Sequence, residues 1–143
     1  VPSCKPRVNH SQPTNGAVVG YVEEVVVSGT SGSVQAFAKS DTGATRTSID
    51  TALAADIGAG PIKSMTRVKS GSMKSGRARP VVDLVVGIGG TQHTVTASVE
   101  DRSHMDYPLL LGRDILQHYR VDVKRRADSG ATSDDAEEEY LEE

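Results

Sequence analysis

Short apolar runs with a period of two recur along the chain, and turn residues separate them. Val18–Ser28 is valine-rich and closes on Ser28-Gly29-Thr30-Ser31-Gly32, a turn signal. Residues 33–39 alternate, with Val34, Ala36 and Ala38 on one face and Gln35, Phe37 and Lys39 on the other. The two runs predict a hairpin whose second strand runs straight into Ser40-Asp41-Thr42-Gly43-Ala44. A short helix is expected over residues 50–58. Asp50 can cap its free N–H groups, Leu53 and Ile57 share a face, and Gly58 can end it in a left-handed turn.

Further along, Ile62–Val68 reads as a strand, and the Gly- and Ser-rich residues 69–79 as a mobile loop or hairpin tip. Residues 81–88 form a strongly apolar strand, followed by a tight turn at Gly89-Gly90. Residues 93–100 alternate again, with Val95, Ala97 and Val99 opposite Thr94, Thr96 and Ser98. A polar turn over residues 101–108 leads to a short buried strand, Leu109–Leu111. A brief helix over 115–119 and a last strand over 120–123 complete the chain's pattern. Many short strands with one or two short helices predict a mostly β, barrel-like domain.

Composition sharpens this picture. The chain has 143 residues, enough for one domain, with 36% hydrophobic but only 3% aromatic residues. Its core must therefore be built from Val, Ile, Leu and Ala, and β-branched residues favour strands. Net charge is -3, but residues 124–143 alone carry -5, which leaves +2 on residues 1–123. The division expected is an N-terminal disordered segment at 1–17, a folded domain at 18–124 and an acidic disordered tail at 125–143. Cys4 is the one cysteine, so no disulfide closes within the chain. That suits a reducing compartment and, with no signal-like or membrane-spanning apolar stretch in this sequence, a cytoplasmic location.

The candidate chemistry lies in Asp41-Thr42-Gly43. An aspartic protease needs two carboxylates a few ångströms apart that share a proton and activate a water between them. Asp41 would leave the end of a core strand on a tight turn. Thr42 offers a short hydroxyl to brace a partner's loop, Gly43 lets a backbone amide approach the carboxylate, and Ala44 keeps the site small. A three-residue string is weak evidence by itself, and the bland alternative is a strand-ending turn in which Asp41 caps its own backbone. Two features raise it above that. The motif follows an apolar strand, and a second apolar run, Leu109-Leu110-Leu111-Gly112-Arg113-Asp114, reaches Gly112 71 residues after Asp41.

With Ser48-Ile49 behind it, Asp41-Thr42-Gly43-Ala44-Thr45 resembles the active-site loop of the retropepsin family of dimeric aspartic proteases. Leu110-Leu111-Gly112-Arg113-Asp114-Ile115-Leu116 resembles that family's second signature. Within the clan, four segments are most similar to a prokaryotic group labelled "ATP-dependent zinc protease" and often encoded beside ATP-grasp ligases: residues 19–23, 38–44, 79–82 and 101–113.

The resemblance implies a retropepsin-like closed β-barrel (the acid protease fold) as a single-lobe subunit. It implies an aspartic endopeptidase acting on peptide or protein substrate as a homodimer, with one Asp41 from each chain. It assigns catalytic roles to Asp41, Thr42 and Gly43, and structural support to Gly112, Arg113 and Asp114. Residues 64–79 would be a flap, with Ala44, Gly71, Met73 and Gly76 as substrate-binding positions.

Two positions depart from the family pattern. Ser40 replaces an aliphatic residue and could hydrogen-bond Asp41. Thr45 replaces the acid that pairs with the arginine of the second signature, so Arg113 is expected, as a buried structural cation, to find Asp50, Asp101 or Asp114 instead. A non-catalytic peptide-binding or dimerisation module on the same fold is the alternative function.

No cofactor or metal is expected. His10, His93, His104 and His118 lack metal-ligand spacing and read as surface or turn residues, and the zinc of the group's label finds no motif here. A Ser or Cys nucleophile and a dinucleotide site lack their motifs. The basic residues Lys63, Arg67, Lys69, Lys74, Arg77 and Arg79 have no interleaved aromatics, so they read as a solvated flap that would favour acidic peptides, not as a nucleic-acid surface. Neither nucleic acid nor membrane is an expected partner.

Overall fold

The structure, a computed structural model, describes residues 17–68 and 77–128. The expected disordered segment up to residue 16, the tail beyond 128 and the substrate-binding positions Gly71, Met73 and Gly76 lie outside the described residues, as do Cys4, His10, Lys69 and Lys74.

Among the described residues, eight strands and two short helices follow one another: β1 (Val18–Ser28), β2 (Ser33–Ser40), β3 (Ser48–Asp50), α1 (Thr51–Ile57), β4 (Ile62–Val68), β5 (Arg77–Ile88), β6 (Thr91–Glu100), β7 (Leu109–Leu111), α2 (Arg113–Leu116) and β8 (Arg120–Arg126). The sheet order is β4-β5-β6-β3-β7-β2-β1-β8, and an additional β5–β1 pairing closes the six inner strands into a barrel. Of these eight strands, closure leaves β4 and β8 at the edges. The fold is the mostly β barrel that the sequence pattern predicts, closed as the resemblance to retropepsins implies.

The valine-rich first hairpin forms as expected, antiparallel from Val22↔Lys39 to Ser28↔Ser33. Its turn also holds α1: Ser31 N–H donates to the Ile57 carbonyl (2.8 Å), and the Thr30 hydroxyl donates to the Gly58 carbonyl (2.7 Å). Asp50 caps the helix through Ala52 N–H, and Gly58 ends it at φ +68°, the left-handed conformation glycine tolerates.

The core joins strand and helix side chains: Val19, Val25, Val27, Ile49, Leu53, Ile57, Leu84, Val86, Leu109, Leu111 and Ile115 are all buried. Among the described residues it contains no fully buried aromatic ring, in keeping with the composition. Each fully buried aliphatic side chain contributes about 1.5–3 kcal/mol relative to exposure.

Several boundaries differ from the sequence expectation. β5 starts at Arg77, four residues before the apolar run, because β4 pairs with it from Ile62↔Val82 to Val68↔Arg77. The expected loop over 69–79 thus gives its last three residues to a strand. The second helix occupies Arg113–Leu116, two residues earlier than expected at its start, with Gly112 as N-cap. β8 extends to Arg126, where Tyr107 donates to Asp128 (2.5 Å) and Arg126 donates to the Tyr107 hydroxyl (2.9 Å), tying the strand to the 101–108 turn. In β6 the alternation breaks at Ser98, which is buried beside Ala97 because its hydroxyl meets that of Ser48 (2.9 Å) on β3.

Candidate active site

Both sequence signatures meet at the end of one parallel strand pair. β2 pairs with β7 through Ala38↔Leu109, Lys39↔Leu110 and Ser40↔Leu111. The ladder runs one residue further, since Asp41 N–H donates to the Leu111 carbonyl (2.9 Å). Asp41 and Gly112 therefore leave the sheet side by side. The chain turns at once: Ala44 N–H donates back to the Asp41 carbonyl (3.1 Å), and Arg113 N–H donates to the Ala44 carbonyl (2.8 Å).

Asp41 is half-buried. Its Oδ1 accepts Gly43 N–H at 2.9 Å, while Oδ2 has no hydrogen-bond partner among the described residues. A Cβ on Gly43 would come within 3.3 Å of that Oδ1, so the amide's approach to the carboxylate leaves little room for a side chain. Thr42 and Gly43 are exposed at the turn, and Ala44 is half-buried behind them. Among the described residues no second carboxylate shares a hydrogen bond with Asp41.

Ser40 does not bond Asp41. Its hydroxyl, buried in the barrel, donates to the Gly20 carbonyl at 2.8 Å. Arg113 corrects a second expectation. Its side chain is exposed and pairs with none of Asp50, Asp101 or Asp114. Instead Nη1 donates to the Thr42 carbonyl (2.9 Å) and Nη2 to the Thr45 hydroxyl (3.2 Å). The threonine that replaces an acid is thus itself the arginine's partner, through a hydroxyl acceptor in place of a carboxylate. The three acids are engaged elsewhere: Asp50 with Ala52 and Arg102, Asp101 with Ser103, and Asp114 with Thr47.

Thr47 was not foreseen. It is fully buried, and Asp114 accepts both its N–H (2.9 Å) and its hydroxyl (2.7 Å). The same hydroxyl oxygen accepts Gly112 N–H (3.3 Å), and the Thr47 carbonyl accepts Ser98 N–H (3.0 Å). This residue closes the far end of the Asp41 loop. Only its burial and contacts reveal it, because a lone threonine in a polar stretch carries no sequence signal. Gly112 is dictated by proximity: a Cβ there would lie 2.6 Å from the Arg46 carbonyl carbon. An open cavity of about 370 Å³ lies beside the loop, lined by Thr45, Arg46, Thr94, Val95, Thr96 and Asp114.

The histidine expectation holds only in part. His104 is exposed in the 101–108 turn, but His93 is buried on β6. Its Nε2 meets the Tyr119 hydroxyl at 2.7 Å and its ring stacks on His118, centroids 5.8 Å apart. Burial, then the neighbouring His118, hold His93 below the ordinary histidine range, against a smaller upward pull from Asp114.

Residues 55–129 match the family described as RimB-like, retropepsin-like aspartic endopeptidase RimB. Among solved structures the chain is similar to Lpg0085, a protein of unknown function (DUF785) from Legionella pneumophila. That match has a TM-score of 0.54 and 25% identity over 79% of this chain and 97% of that one. A foamy viral protease-reverse transcriptase solved with an RNA/DNA hybrid also aligns, at TM-score 0.49 and 15% identity over 69% of this chain and 12% of that one. The simian foamy virus protease aligns at TM-score 0.46 and 17% identity over 66% and 92%. No curated protein matches the chain.

Proposed function

Because the chain belongs to the RimB-like family of retropepsin-like aspartic endopeptidases, we propose that it hydrolyses peptide bonds as a homodimer in which each chain contributes one Asp41. The observation that carries this reading is the state of that carboxylate: one oxygen is held by Gly43 N–H, and the other has no partner among the described residues. A lone, half-buried aspartate on a turn fixed by Leu111, Ala44 and Arg113 is half of a dyad. A second copy supplies the other half.

In the dyad two like charges a few ångströms apart share a proton. The ionised member takes a proton from water as the water attacks the peptide carbonyl. The protonated member donates to the carbonyl oxygen and helps protonate the leaving amine. The pair titrates as a unit. Thr42 braces the partner's loop, and Arg113 and Thr47 hold the turn in place on either side of it. Preorganisation of this kind is what keeps the reacting groups in attack geometry. The β4–β5 arm contacts the bound peptide, and the enzyme works in the cytoplasm on peptide or protein substrates.

The test is digestion of a peptide library made from denatured casein, read by mass spectrometry from acid to neutral pH, with wild type and Asp41→Asn in parallel. Cuts made by wild type alone support the endopeptidase. A folded, dimeric wild type that makes no cuts supports a non-catalytic peptide-binding module. Equal cutting by both proteins removes Asp41 from the mechanism.

A further inference from the structure

Strand β4 lies outside the closed ring and, among the described strands, pairs with β5 alone, so the β4–β5 arm leaves the barrel where β5 parts from β6, at Val81 opposite Ser98. Arg79 stands two residues before that point on β5, and Glu100 two residues after it on β6, on the same face of the ladder. Arg79 Nη1 and Glu100 Oε1 form an ion pair across the gap, with the side chains 23% and 14% exposed. The other carboxylate oxygen of Glu100 accepts from Arg102 Nη1 at 3.1 Å. Arg102 is itself buried and anchored: its Nε donates to the Tyr107 carbonyl (3.0 Å) and its N–H to Asp50 Oδ1 (2.8 Å). Asp50 N–H in turn donates to the Pro108 carbonyl, immediately before β7, the strand that carries Leu111 and through it Asp41.

One carboxylate thus joins the root of the arm to the floor of the site. We propose that Arg79, acting through Glu100, is a positioning residue that holds the β4–β5 arm in its substrate-binding orientation. The pair is mostly withdrawn from water, so it is screened less than a surface ion pair. Arg102 keeps Glu100 compensated when Arg79 is removed, so a change at Arg79 cuts the arm's tether and leaves the floor intact. Glu100→Gln would instead strand a buried guanidinium and damage the fold. Without the tether the arm must be ordered by the substrate itself, and that cost appears in binding. The inference rests on the endopeptidase reading in one respect, that the arm contacts the peptide.

The experiment compares full-length wild type, Arg79→Gln and Arg79→Lys on the best peptide from the casein-derived library, with hydrogen exchange of the same proteins. The expected result is a KM raised roughly three- to tenfold in Arg79→Gln, kcat within about twofold, and most of the loss restored in Arg79→Lys. Amides of β4 exchange about tenfold faster in Arg79→Gln while those of β6 are unchanged. An unchanged KM overturns the proposal. So does a fall in kcat together with the thermal midpoint, which would make Arg79 merely a stabilising residue. If wild type cuts no peptide, the endopeptidase reading fails and exchange alone decides: faster β4 exchange upholds the tether, and equal exchange overturns it.

Discussion

Asp114 accepts two hydrogen bonds from Thr47, one from its amide and one from its hydroxyl, across 67 residues of sequence. That clasp joins the end of the Asp41 loop to the first turn of α2. Thr47→Val keeps the shape but removes the hydroxyl, which leaves Gly112 N–H without its acceptor and Asp114 short of a donor. The expected loss is about 1–3 kcal/mol in denaturant unfolding. Peptide cleavage should fall with it even at temperatures where the variant is fully folded, because the loop loses its far anchor.

Gly112 and Gly90 form a matched pair. Gly112→Ala places a methyl group against the Arg46 backbone, which cannot swing aside as a side-chain tip would. Overpacking of this kind costs about 1–3 kcal/mol or more. A methyl group added at Gly90 would meet nothing within 4 Å, and Gly90 has no positive φ. Gly90→Ala should therefore stay within about 0.5 kcal/mol of wild type. Equal midpoints for the two variants would contradict the close approach at Gly112.

The Ser40 hydroxyl is directed at Gly20, so its removal is a matter of stability and not of chemistry. Ser40→Ala leaves the Gly20 carbonyl without that donor, at a cost of about 1–2 kcal/mol. The pH profile of kcat should keep its shape. A displaced acid limb would show that the hydroxyl acts on Asp41 after all.

His93 makes stability depend on pH with a definite sign. Its folded value lies below its ordinary 6.5 because burial and His118 disfavour the charged ring. The unfolded chain therefore binds the proton more readily. The contribution is fully present above pH 6.5 and is lost as pH falls from there towards the folded value. The groups facing the ring are His118, Tyr119 and Asp114, of which Asp114 alone opposes the shift. His118→Gln removes the second cause of the shift, so its stability should decline less steeply in acid than wild type. Denaturant unfolding at several pH values between about 5 and 7.5 measures this, and parallel slopes would refute it.

The sequence by itself determined the mostly β fold class and supplied the candidate chemistry at Asp41. Period-two valine runs, turn signals and a nearly ring-free aliphatic composition specify many short strands in a mostly β domain. These are local properties: each residue's propensity and face can be read without knowing its neighbours in space. Asp41-Thr42-Gly43 and the Leu110–Asp114 segment were legible for the same reason, as unbroken strings at the ends of apolar strands.

What only the tertiary structure decided was pairing. Reading an ion pair for Arg113 required choosing among distant acids, and the answer was the Thr42 carbonyl and the Thr45 hydroxyl, both in the Asp41 loop itself. Thr47 carried no signal because its importance comes from a carboxylate 67 residues away. Ser98 and His93 read as polar outward positions, yet Ser48 on the neighbouring strand and Tyr119 in the turn before β8 satisfy them inside. The start of β5 at Arg77 was set by β4 opposite it, in residues too polar to announce a strand. A buried polar group is tolerated only where a partner meets it, and partners are brought together by the closure of the barrel.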